Sequence, residues 1–173
     1  NSLVLNPLKG TFVSDPIRGL GYSLQANMND LMENHLIRGG IYLSSNLKNT
    51  NWWGEYNYLE NRMDWSIRYD RKVLNQENDY TSSQKIRFNR MELKALYPFD
   101  LRNKLVVSST YAENRAIDQI NFRTPDNVMG YAGLKTEYQL ENVNQIDENL
   151  EEGQRAWASV EFQKATRTTG GYA

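Results

Sequence analysis

The stretch from Gly54 to Arg71, GEYNYLENRMDWSIRYDR, leaves the chain few choices. From Arg62 onward, Met63, Trp65, Ile67 and Tyr69 share one parity, and Asp64, Ser66, Arg68 and Asp70 share the other. Successive side chains leave a pleated strand on opposite sides, so this alternation specifies an extended strand with two unlike surfaces. Ahead of it, Gly54, Tyr56 and Tyr58 alternate with Glu55 and Asn57, and Leu59-Glu60-Asn61 is short enough to close a tight hairpin between the two runs. One face is apolar and aromatic, and the other carries full charges of both signs. A soluble antiparallel sheet would turn the charged face to water. A membrane barrel would turn the aromatic face to lipid and the charged face to a wet lumen.

The same alternation recurs along the chain. Leu20, Tyr22, Leu24, Ala26 and Met28 oppose Gly21, Ser23, Gln25 and Asn27, about the 9–11 residues that cross a bilayer as a tilted strand. Between Ile37 and Leu47, Ile41, Leu43 and Leu47 oppose Arg38, Tyr42, Ser44 and Asn46. In 85–97 the parity shifts from Ile86 and Phe88 to Met91, Leu93, Ala95 and Tyr97, and a bulge near Asn89 would reconcile the two halves. Leu105, Val107, Ser109 and Tyr111 form the next strand. Val128 to Leu140 sets Leu134 and Tyr138 against Lys135 and Glu137, and Ala156, Ala158, Val160 and Phe162 oppose Trp157 and Glu161.

This predicts an all-β chain of about eight strands. Residues 1–18 form an irregular lead-in with a short strand, and 19–173 one antiparallel barrel segment. The polar stretches 73–84 and 112–126 read as long loops and 141–153 as an acidic connection, whereas the turns at 59–61 and 97–103 are short. Short connections alternating with long ones are the expected signature of a transmembrane barrel. That sorting favours the membrane over a sandwich, so the fold predicted is an antiparallel transmembrane β-barrel.

Composition narrows the functional classes. The 173 residues hold no cysteine and one histidine, which leaves no thiolate metal site and only one residue of the usual zinc-ligand and general-base type. Twenty Lys and Arg against 21 Asp and Glu offer no broad cationic surface for nucleic acid. No apolar run is long enough for a transmembrane helix. The mean hydropathy of -0.73 does not argue against a barrel, whose strands are apolar only at alternate positions. The chain opens on Asn1 and ends Thr168-Thr169-Gly170-Gly171-Tyr172-Ala173, which reads as a processed chain or a piece of a longer one.

The candidate sites follow from the two faces. Toward lipid we place Leu20, Tyr22, Leu24, Met28, Ile41, Leu43, Tyr56, Tyr58, Met63, Trp65, Ile67, Tyr69, Leu93, Leu105, Val107, Leu134 and Tyr138. Toward the lumen we place Arg38, Asp64, Arg68, Asp70, Lys135, Glu137 and Glu161, where opposite charges pair or tune a pore's selectivity. His35 sits in a turn without a second histidine or a cysteine, so a turn hydrogen bond is its reading. Glu148-Asn149-Leu150-Glu151-Glu152 lacks the spacing of a calcium loop. The serine pairs 44–45, 82–83 and 108–109 have no convincing base, and no Gly-rich phosphate motif occurs. No enzyme activity, cofactor or metal is expected.

Several segments resemble a known family. Gly19-Leu20-Gly21-Tyr22, leading to Asn29-Asp30-Leu31-Met32-Glu33-Asn34-His35, resembles the first barrel strands of large Bacteroidetes-type outer-membrane proteins, in which a TolB-like propeller precedes a BamA-type surface-antigen barrel. Arg90-Met91-Glu92-Leu93-Lys94-Ala95-Leu96-Tyr97-Pro98-Phe99 is similar to the strand and "YPF" turn of those barrels, and Tyr58-Leu59-Glu60-Asn61-Arg62 to a periplasmic turn. The resemblance implies a Gram-negative outer-membrane barrel with a structural, anchoring or accessory role in an envelope complex, pore formation included. Its partners would be outer-membrane lipid and a protein complex or the remainder of the barrel. It does not extend to a propeller repeat or to an insertase activity. The competing reading is a secreted or periplasmic β-sandwich or small barrel that binds carbohydrate or protein through its aromatic face.

Overall fold

Alternating β-branched and aromatic residues, broken by short polar turns, build an antiparallel meander. The computed structural model describes residues 3–15, 19–45, 49–78, 82–119, 126–147 and 150–169. Its strands are β1 (Leu3–Leu5), β2 (Lys9–Asp15), β3 (Gly19–Asp30), β4 (His35–Ser44), β5 (Thr50–Tyr58), β6 (Asp64–Asn78), β7 (Ser82–Pro98), β8 (Asn103–Asp118), β9 (Asn127–Asp147) and β10 (Leu150–Thr169). Among the described residues there is no helix. All ten strands belong to one sheet, in which β3 to β10 each pair with their chain neighbours. Both β1 and β2 pair with the free edge of β3, β1 along Met28–Asp30 and β2 along Gly19–Gln25. Among the described residues the sheet is open: β10 does not pair back to β1, β2 or β3.

The all-β antiparallel expectation holds, with corrections. Among the described residues there are ten strands: β3–β10 are the eight expected over 19–173, the lead-in supplies two more, and the described sheet is not closed into a barrel. The lead-in contains two strands, β1 and β2. In the stretches read as loops at 73–84 and 112–126, residues 73–78, 82–84 and 112–118 are strand, because β6 and β7 continue as paired strands to Asn78 and Ser82 and β8 continues to Asp118; residues 79–81 and 120–125 lie outside the described residues. The connection read at 141–153 is also strand over most of its length. Mostly polar ladders give little hydropathy alternation, so the sequence pattern misses these extensions, which are held by backbone pairing and by the Asn51 and Asn49 side chains accepting from the Val73 and Asn75 N–H groups. Met63 lies in the turn before β6 instead of on a strand. Asn46, Leu47, Lys48, Glu148, Asn149 and residues 170–173 lie outside the described residues.

No bulge occurs near Asn89. The β6–β7 register runs unbroken from Asp64↔Leu96 to Asn78↔Ser82, and β7–β8 from Gln84↔Asp118 to Pro98↔Lys104. The parity shift is instead shared by neighbouring strands. Beyond Tyr69, Met91 and Tyr111, the aromatic face continues as Arg71, Asn89 and Glu113, then as Val73, Arg87 and Arg115. The opposite face becomes apolar at the same level, where Leu74, Ile86 and Ala116 stand side by side. The two faces exchange polarity across three strands at once.

The aromatic band also crosses the sheet on a slant. Ladder pairing places Leu24 level with Ile41, Trp52, Arg71, Asn89, Glu113 and Gly130. The band reaches Leu20 on β3, above Leu24, whereas on β9 its large apolar residues begin at Leu134, below Gly130. With a rise of ~3.3 Å and a strand spacing of ~4.8 Å, that descent of about 1.3 residues per strand inclines the band by about 40°.

Bulges mark the β9–β10 pair at Leu150/Glu151 and at Ala165/Arg167. Next to the first, Gly153 has φ 146°, and a Cβ there would be driven into the Asn142 carbonyl oxygen. Gly54 faces open space. Gly153→Ala is therefore expected to cost ~1–3 kcal/mol and to lower amide-exchange protection in the β9–β10 hairpin. Gly54→Ala should leave protection unchanged, and equal protection in both variants would contradict the assigned strain.

Candidate functional site

Cross-strand partners share a face, so the register fixes which residues meet. Leu20, Tyr22, Leu24 and Met28 lie on the same side as Ile41 and Leu43, followed across the ladder by Tyr56, Tyr58, Trp65, Ile67 and Tyr69. Leu93, Leu105, Val107, Leu134 and Tyr138 extend that side to β9, and Ala158, Val160 and Phe162 to β10. Apart from Met63 in its turn, all residues assigned to the aromatic face from sequence occupy one continuous surface. Arg38, Asp64, Arg68, Asp70, Lys135, Glu137 and Glu161 all lie on the other.

Aromatic rings collect toward the two borders of the apolar surface. At one border Trp52 and Tyr69 have ring centroids 5.0 Å apart, and the Tyr69 hydroxyl donates to Asn89 Oδ1 at 3.2 Å. At the other, Tyr56, Tyr58, Tyr97, Phe99 and Tyr138 gather near the short turns, and the Tyr138 hydroxyl donates to Asn103 Oδ1 at 2.5 Å. His35, the first residue of β4, belongs to this border: its Nδ1 lies 2.8 Å from the hydroxyl of Tyr56 on β5, a cross-strand contact in place of the turn hydrogen bond expected. Between the borders lie Ile37, Ile67, Leu93, Val107 and Leu134.

The charged face is neutralised within strands. Side chains at i and i+2 point the same way, and the opposite charges pair at that spacing. The Arg68 guanidinium grips Asp70 with two bonds of 2.9 and 3.0 Å, and its Nη1 reaches Glu55 Oε2 at 3.1 Å. Arg90 bonds Glu92, and Lys135 Nζ pairs with Glu137 at 2.7 Å. Glu161 accepts from Gln163 at 2.6 Å. Across strands, Arg38, Glu55, Arg68 and Glu92 stand directly opposite one another, so their formal charges alternate in sign along the row. The Arg68 guanidinium also lies 4.7 Å from the Trp53 ring centroid, and Trp53 covers Gly40, where a Cβ would come within 2.5 Å of the indole Nε1.

Burial is inverted relative to a water-soluble sheet. Trp65, Ile67, Leu93 and Leu134 are 53, 39, 48 and 50% exposed. The side chains of Glu55, Asp70 and Glu137 are 17, 15 and 19% exposed. A cleft of about 330 Å³ opens on the charged side, lined from four successive strands by residues that include Glu92, Ser108, Lys135 and Glu161.

Sequence reasoning missed Glu55, Arg90, Glu92 and Lys94, although their parity with Arg68 was legible. It also missed Arg62, whose role is visible only in three dimensions. Arg62 donates to the Pro98 and Phe99 carbonyl oxygens at 3.2 and 2.7 Å and lies 5.1 Å from the Tyr97 ring centroid, tying two short turns together. In the second turn Asp100 accepts from the Asn103 side chain and from the backbone N–H groups of Arg102 and Asn103, which hold its carboxyl below the usual carboxylate range. Among the described residues no cluster of His, Cys, Asp and Glu is arranged to hold a metal ion. The chain matches no family model, no curated protein and no solved structure.

Removing Arg68 leaves two shielded carboxylates without their cation. Its own 40% side-chain exposure moderates the loss, so Arg68→Met is expected to cost about 1–2 kcal/mol in equilibrium urea unfolding. Arg68→Lys, which keeps the charge but not the two-pronged geometry, should fall between. An unchanged midpoint in Arg68→Met would contradict a stabilising network.

Proposed function

We propose that this chain is a segment of an outer-membrane β-barrel that anchors or scaffolds an envelope assembly. The inverted burial carries the reading: large apolar side chains lie on the exposed face, and ionised groups lie on the shielded one. In water that arrangement is unfavourable by ~25 cal/mol for each Å² of apolar surface left exposed. In a bilayer the aromatic band meets acyl chains and the charges line a wet interior.

The slant of the band supports the same reading, since barrel strands tilt by about 35–45°. So do the aromatic borders, because amphipathic rings favour the level where hydrocarbon meets headgroups. The projecting β6–β7 and β8–β9 hairpins then mark the external end, and the short turns at 31–34, 59–63 and 99–102 the periplasmic one, beyond which the β9–β10 hairpin also extends. The exchange of polarity beyond Tyr69, Met91 and Tyr111 follows from this frame, because a hairpin leaving the membrane no longer presents its outer face to lipid. The BamA-type resemblance of the turns at Tyr58–Arg62 and Tyr97–Phe99 points to the same family of barrels.

The open edges at β1, β2 and β10 call for a protein partner or further strands of the same barrel. Unpaired backbone groups are costly in lipid, and exposed edges readily pair with other strands. The paired charges of the interior permit selective conduction, with the pore width set by the total strand number.

The test combines fractionation with substitution. The native protein should stay in urea-washed outer membranes and run at different positions on SDS gels before and after boiling. Leu93→Arg or Leu134→Arg should lower membrane-folded stability by ~2–4 kcal/mol, the midplane cost of an arginine on a lipid face. Release into the soluble fraction with no heat shift would sink the proposal.

A further inference from the structure

Just beyond the aromatic band, on the same face, the projecting hairpins carry a concentrated group of cations. Arg87 and Arg115 are direct partners in the β7–β8 ladder. Directly opposed side chains stand ~4.5–5.5 Å apart at Cβ, and like charges there repel. Buried Val73 and Val128 close this row on either side. Arg71 lies one row nearer the band, and Lys85 one row farther out.

The local acids pair with Arg115 only at the outer limit of an ion pair. Glu113 and Asp126 each stand 3.9 Å from an Arg115 guanidinium nitrogen, beyond hydrogen-bonding distance. Among the described residues no carboxylate pairs with Arg87. Both Arg87 and Arg115 have a buried Nε without a hydrogen-bond partner. Two arginines directly opposed across a ladder, with carboxylates near only one of them and Arg71 and Lys85 on the same face, leave an excess of positive charge suited to an anion with several acceptor oxygens.

We propose that Arg87 and Arg115, supported by Arg71 and Lys85, bind the phosphate groups of anionic outer-leaflet lipid. The inference rests on the membrane reading and identifies the lipid. Arg71 lies two residues beyond Tyr69, and Arg87 and Arg115 four residues beyond Met91 and Tyr111. At a rise of ~3.3 Å per residue and the tilt of a barrel strand, those positions stand roughly 5 and 10 Å above the apolar band. The polar layer on each side of the hydrocarbon is ~5–7 Å thick, so the arginine side chains reach the level of headgroup phosphates. A guanidinium presents a planar fork to phosphate oxygens, and two opposed forks can hold one phosphate from both sides.

The test uses the full-length protein folded into phosphatidylcholine nanodiscs containing a minor fraction of bisphosphorylated lipid A. Parallel discs contain its dephosphorylated form, and native mass spectrometry counts the glycolipid retained after release into detergent. The wild type should retain the phosphorylated lipid alone. Arg87→Gln/Arg115→Gln should lose about tenfold in retention, and Arg87→Gln alone should lose less, as expected when charge-assisted hydrogen bonds are removed. Lys164→Gln, which removes a cation from the same face on β10, should retain lipid like the wild type. Retention independent of phosphate, or undiminished in the double variant, would overturn the inference while leaving the barrel intact. Complete displacement by millimolar inorganic phosphate would show a free-phosphate site and overturn the lipid assignment. Failure of the wild-type protein to enter the discs would overturn the membrane reading, and this inference with it.

Discussion

Ladder register is the constraint on which both faces of this sheet depend. Side chains alternate with a period of two, so a slip of one residue would exchange every aromatic with every charge on the slipped strand. From β3 to β8 the pairing continues without a bulge over the band, and Ile41, Trp52, Ile67, Leu93 and Val107 thereby reach one surface. The same register brings Glu55, Arg68 and Glu92 into line on the other. Without it neither surface would be continuous.

The charged surface is sustained by local neutralisation. An ionised group withdrawn from water is tolerated when it is paired and hydrogen-bonded. Asp70 and Glu137 each have a cation two residues away on their own strand, so each of those strands contributes a balanced pair before the sheet assembles. Trp53 and the glycine beneath it extend this packing, with the indole lying between Gly40 and the Arg68 guanidinium. The face is polar without being loosely organised.

Much of this was legible in the sequence. The strict alternation through Trp65, Ile67 and Tyr69 and through Leu20 to Met28 assigned strands and faces, because period two is a backbone property. The extensions at 73–78 and 112–118 were not legible, since their mostly polar residues interrupt the alternation and the few apolar ones, such as Val73 and Leu74, do not keep its parity. The shift between Phe88 and Met91 was visible, but one strand alone cannot distinguish a bulge from an exchange of polarity. Only the shared register of Arg71, Asn89 and Glu113 shows that neighbouring strands change together. Arg62 was hidden for a different reason: its acceptors, Pro98 and Phe99, lie on another turn.

The central claim is that the aromatic face meets lipid and the charged face meets water. The chain contains no cysteine, so single cysteines can be introduced in turn from Trp65 to Tyr69 and from Leu105 to Tyr111 and spin-labelled in the membrane-folded protein. Collision with oxygen, which concentrates in lipid, would be compared with collision with a water-soluble nickel chelate. The account predicts that both accessibilities oscillate with a period of two and in opposite phase, with oxygen dominant at Ile67 and Val107 and nickel at Arg68 and Ser108. Shielding of Ile67 and Val107 from both reagents, as in the core of a sandwich, or nickel access at every position, would contradict it.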